Sequence, residues 1–81
     1  MGKEQILSII EAIKEIEADT TISKNVKIKL DETVKALEED KEISMKVDKA
    51  IHILDDLSED SNLPSYIRTQ LWNILSLLET A

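Results

Sequence analysis

The chain has no cysteine and no phenylalanine, and only one glycine, one proline, one tryptophan and one tyrosine among its 81 residues. Without cysteine there are no disulfides, thiolate metal ligands or thiol nucleophiles. So small a domain without a covalent staple fits a reducing compartment, so a cytoplasmic location is expected. Scarce glycine and proline argue against a turn-rich β fold. Basic residues are also few, ten against seventeen acidic, for a net charge of −7. The deficit runs through both halves, with seven basic against eleven acidic in residues 1–42 and three against six in 43–81. Such a field repels phosphate backbones, so no nucleic-acid partner is expected. No apolar run approaches the roughly 18–20 residues of a membrane helix, and Lys3-Glu4 opens an interrupted apolar stripe rather than a signal peptide, so neither a membrane nor a leader is expected. A myristoylation motif would want Ser or Thr at the sixth position, where Ile6 stands.

What is present is 42% hydrophobic and 33% charged residue content, the composition of charged amphipathic helices. Eighty-one residues suit one domain, 1–81, that buries roughly 60–65% of its unfolded surface and holds by packing alone. Apolar residues spaced three and four apart put one stripe on one side of a helix. Ile6, Ile9, Ile10, Ile13 and Ile16 form the first stripe. Val26, Leu30, Thr33, Val34 and Leu37 form the second, with Thr21 or Ser23 as N-cap. Val47, Ala50, Ile51, Leu54 and Leu57 form the third, with Ser44 as N-cap. Ile67, Leu71, Ile74, Leu75 and Leu78 form the fourth, opened by Pro64 in the first turn, where the missing N–H has no intrahelical partner. The expected fold is all-α, an antiparallel four-helix bundle with helices over about 3–18, 23–38, 45–59 and 64–79.

The chain is also a repeat. A shift of 41 positions lays Asp19-Thr20 on Asp60-Ser61 and Lys27 on Arg68, and superposes nearly every stripe position. The implied units, about 3–39 and 44–80, are two related helix hairpins. Each unit has Asp in its turn and Val26-Lys27 or Ile67-Arg68 opening its second helix, and so resembles a HEAT-type unit, in which the basic residue reaches back toward the turn carboxylate. Such arrays need about three repeats to bury a continuous core, so two favour a closed bundle. Repetition at equivalent turns marks Asp19, Lys27, Asp60, Pro64 and Arg68 as structural corner residues rather than catalytic ones.

Over about residues 6–79 the chain is similar to uncharacterised protein family 0147, a group of small archaeal proteins. The resemblance rests on Glu17-Ala18-Asp19-Thr20-Thr21, on Ala50-Ile51-His52-Ile53-Leu54-Asp55, and on the run from Asn62 to Trp72. It implies a cytoplasmic archaeal bundle of four helices and no particular activity. Ser23 departs from the family pattern, which often has Pro there.

Candidate sites are few. His52 is the only histidine, and one imidazole makes neither a catalytic dyad nor a metal site of the usual ligand count. Asp55, Asp56, Glu59 and Asp60 form the densest carboxylate cluster. Hard cations take oxygen ligands, so this cluster carries the alternative reading, a small metal-dependent enzyme or enzyme subunit. The glycine and alternating acids of a calcium loop are missing, and a solvated helix end is the plain reading. No catalytic constellation is visible, no cofactor is expected, and the chain reads as a non-enzyme. The remaining signal is the surplus of apolar residues off the stripes: Trp72, Tyr66 and Leu77 in the fourth helix and Ile53 in the third. They either broaden the core or form an interface with another copy or a protein partner, since Trp and Tyr are frequent interface anchors.

Overall fold

The computed structural model describes residues 2–80 as four helices, α1 (Lys3–Glu17), α2 (Lys24–Glu38), α3 (Ile43–Ser58) and α4 (Ser65–Glu79). No strand occurs among the described residues, and the helices stand as the antiparallel bundle that the stripes require. All five residues expected inward on α1 are buried, as are all five on α2, Thr33 among them, and all five on α4. On α3 only Ala50, Leu54 and Leu57 of the five are buried, while Val47 and Ile51 pack against the core partly exposed.

Backbone approaches of 8 Å or less run around the four sides of the bundle and, among the described residues, across neither diagonal. Stacked HEAT-type hairpins would instead set α1 beside α3 and α2 beside α4, so the resemblance to that repeat ends at the single hairpin. The sides are unequal. The α2–α3 side is the most extensively packed and the α1–α4 side much the thinnest.

Helix ends explain most of the shifts from expectation. Ser23 caps α2, its Oγ accepting from the Val26 N–H at 3.3 Å. The start of α3 lies before the expected Ser44: Glu42 is the N-cap, and its carbonyl accepts from the N–H groups of Met45 and Lys46, both at 3.1 Å. A backbone cap of this kind leaves no signature in side-chain type. Pro64 is the N-cap of α4, one position before the first turn, its carbonyl accepting from Ile67 and Arg68. No residue among those described has a positive φ, which is how a chain with one glycine turns three times.

Among the described residues, the two buried polar side chains satisfy themselves locally, as burial requires. Thr33 Oγ1 donates to the Lys29 carbonyl at 2.9 Å and Ser58 Oγ to the Asp55 carbonyl at 2.7 Å. Between α2 and α3, Glu39 receives Lys41 at 2.8 Å and Lys49 at 3.1 Å. These two ammonium groups hold the Glu39 carboxyl below its ordinary range.

Candidate functional site

The two corners, residues 18–23 and 59–64, begin with the same backbone geometry. The N–H of Asp19 donates to the Ile16 carbonyl and that of Asp60 to the Leu57 carbonyl, each at 3.0 Å. Asp19 Oδ1 then accepts from the Thr21 N–H at 2.8 Å, and Asp60 Oδ1 from the Asn62 N–H at 2.9 Å. Both are Asx-turns, in which a short carboxylate takes the place of a backbone acceptor. Each corner also turns an apolar residue inward, Ile22 at 6% exposure and Leu63 at 4%. Neither was expected in the core. Their signal was an apolar residue recurring 41 positions apart just before each helix cap.

Beyond the shared turn the corners diverge. The expected pairing of Lys27 with Asp19 and of Arg68 with Asp60 is not what forms. Arg68 Nε donates to the Ser58 carbonyl at 2.9 Å and its Nη2 to the Asp60 carbonyl at 2.8 Å, so the guanidinium fork closes the C-terminal end of α3. The Asp60 carboxylate is already engaged by its own turn, whereas the last carbonyls of a helix have no intrahelical donors. Lys27 makes no ion pair with Asp19 and acts only as a nearby positive charge.

Asp19 is held instead by hydroxyls. Thr21 Oγ1 donates to Oδ1 at 2.6 Å, and the Tyr66 hydroxyl, brought in from α4, donates to Oδ2 at 2.9 Å. The Thr21 and Tyr66 hydroxyls also touch each other. Hydrogen bonds from the Thr21 side chain, the Thr21 N–H and Tyr66, in that order, hold the Asp19 carboxyl below its ordinary range, with a smaller contribution from Lys27 against slight desolvation.

This clasp sits at the thin α1–α4 side, where a cleft of about 430 Å³ remains open. From the first hairpin it is lined by Ala12, Glu15, Ile16 and Asp19, and from α4 by Gln70, Asn73, Ile74 and Leu77. The lining holds carboxylates, amides and apolar groups, and no basic side chain. A second cleft of about 460 Å³ opens at the far end between α1, the end of α2 and the start of α3, with exposed Leu7 and Ile43 among its walls.

The four residues singled out for surplus apolar character do not meet on one surface. Trp72, Leu77 and Tyr66 are 54%, 57% and 50% exposed, so within this chain they do not broaden the core. Ile53 is half-buried on α3. Leu77 lines the α1–α4 cleft, and Tyr66, eleven residues earlier on the same helical flank, donates to Asp19, which lines it too. Trp72 stands about 140° around α4 from Leu77, at 100° per residue, and faces the other way. His52 is exposed, its Nδ1–H bonded to the Asp48 carbonyl at 2.9 Å. Among the described residues no three His, Asp or Glu side chains come together as a cation site; Asp55, Asp56 and Glu59 are exposed, and Asp60 is half-buried with its carboxylate in the turn.

Fold and surface together define a small acidic four-helix bundle with one loosely packed side. Comparison with known proteins gives that class a family. The chain belongs to the Uncharacterised protein family (UPF0147), whose model matches residues 1–81. It is 35% identical to a UPF0147 protein of Archaeoglobus fulgidus, over 98% of this chain and 91% of the relative. It is 41% identical to a UPF0147 protein of Methanocaldococcus jannaschii, over 83% and 73%. Its fold is similar to the crystal structure of the unknown-function protein MMP1188, with a TM-score of 0.93 and 38% identity over 100% of this chain and 93% of that one. None of the described helices is long and apolar enough to cross a membrane.

Proposed function

We propose that this protein is a non-enzymatic interaction module that presents α4 to another copy of itself or to a partner protein in the cytoplasm. The observation that carries the reading is the exposure of Tyr66, Trp72 and Leu77, at 50%, 54% and 57%, on one short helix of a chain otherwise almost free of aromatics. Trp and Tyr are among the side chains most enriched where binding energy concentrates. The cytoplasmic part of the reading is supported by a cysteine-free core that holds by packing alone. The test is retention of a defined protein from native cell extract, together with light scattering of the purified chain. Stoichiometric retention or self-association that is lost in Trp72→Ala or Leu77→Asp supports the reading. A wild type that stays monomeric at high concentration and retains nothing overturns it.

A further inference from the structure

We infer that the α1–α4 cleft is a docking groove for a basic amphipathic helix of a partner protein. The inference rests on the interaction reading above and names the face and the chemistry of what it binds. Three features of the cleft converge on that occupant.

The first is shape. The α1–α4 side is the thinnest of the bundle, and its cleft runs from Ala12 on α1 to Asp19 in the corner that follows. From Ala12 to Ile16, the α1 part of the lining, the rise of 1.5 Å per residue gives about 6 Å, a little over one turn of a helix laid alongside. A volume of about 430 Å³ receives the side chains of one helix face rather than a whole helix.

The second is the floor. Ala12, Ile16 and Ile74 form an apolar strip beside Leu77, which is 57% exposed. An apolar stripe on a partner would cover it, as in other complexes where a helix lies in a groove.

The third is charge. Glu15 and Asp19 are four residues apart on the same wall, no basic residue lines the cleft, and Glu15 has no ion pair among the described residues. The hydrogen bonds from Thr21 and Tyr66 fix the position of the Asp19 carboxylate. A Lys or Arg on the incoming helix would meet the free Glu15 carboxylate with the charge of Asp19 beside it, the Asp19 oxygens being already engaged by Thr21 and Tyr66. A second copy of this chain suits the cleft badly. It would bring a second molecule of net charge −7 against a wall that already carries Glu15 and Asp19.

The test uses a synthetic helical peptide with Leu on one face and Lys at positions four apart, titrated against the whole protein at two salt concentrations. A charge-matched control separates the groove from the general acidity of the chain: Glu15→Lys changes the cleft, and Asp48→Lys makes the same change on exposed α3. Supporting results are binding that weakens at higher salt, falls at least about tenfold in Glu15→Lys and is lost in Leu77→Asp, while Asp48→Lys changes it less than about threefold. Trp72→Ala, on the other flank, should leave peptide affinity unchanged. Circular dichroism confirms that each variant is folded before it is compared. The inference is overturned if the peptide does not bind, if Glu15→Lys and Asp48→Lys weaken it equally, or if Leu77→Asp abolishes self-association instead. If the extract experiment still captures a protein through Trp72, the interaction reading stands and the cleft assignment alone falls.

Discussion

At the first corner Asp19 gives its second carboxylate oxygen to Tyr66, a residue from the other hairpin, whereas at the second corner Asp60 serves its own turn and the lock is Arg68, gripping the Ser58 and Asp60 carbonyls. The same Asx-turn therefore feeds two kinds of closure. Arg68 fastens α4 to the end of α3 within one hairpin. Tyr66 fastens α4 to the α1–α2 corner, across the side where the bundle packs least. Duplicating a hairpin supplies each corner with its turn, but two sides of the resulting bundle, α2–α3 and α1–α4, have no counterpart inside either hairpin, and the one packed least is α1–α4. The residue that closes it, Tyr66, aligns with Asn25 in the first repeat, which lacks any such reach.

The corners should be most alike in what they bury and least alike in what locks them. The largest losses are expected from Ile22→Ala and Leu63→Ala, at about 2–4 kcal/mol each in denaturant unfolding, because each leaves a cavity in the shared core. A corner whose truncation costs nothing would break the equivalence. Next comes Arg68→Ala, at about 1–3 kcal/mol, since it leaves the α3 carbonyls without donors, and Arg68→Lys should recover only part because an ammonium lacks the fork.

Tyr66→Phe should lower the melting temperature less than Arg68→Ala does, and its effect should depend on pH. The Asp19 carboxyl is held below its ordinary value of 3.8. The stability this contributes is fully present above that value and is lost as pH falls through the depressed folded value. The gap between wild type and Tyr66→Phe should therefore narrow as pH drops from about 5 toward about 2, followed by thermal unfolding. The smallest effect is expected from Lys27→Ala, within about 0.5 kcal/mol, because Lys27 makes no ion pair at the position equivalent to Arg68.

The helices were legible because burial of a stripe is a periodic property, and Ile13, Leu30 and Leu71 sit at zero exposure where that periodicity puts them. Ser23 was legible as a cap because its side chain does the capping. Glu42 was not, because its backbone does. Ile22 and Leu63 lie outside every helical stripe, yet each is carried into the core by the turn itself. Lys27 and Arg68 looked interchangeable by register, yet the free acceptors at the second corner are backbone carbonyls, which no side-chain pattern records. The Tyr66 clasp joins residues 45 and 47 positions apart. It depends on how the two hairpins close on each other, so it first becomes visible in three dimensions, and the cleft beside it likewise.

The most direct test is a double-mutant cycle joining Tyr66→Phe and Asp19→Asn, read by denaturant unfolding at neutral pH, with Tyr66→Phe and Asp60→Asn as the parallel cycle. If Tyr66 closes the first corner and not the second, the first double variant loses less than the sum of its singles, and the second loses the full sum. Additive losses in the first cycle, or equal coupling in both, would contradict that account.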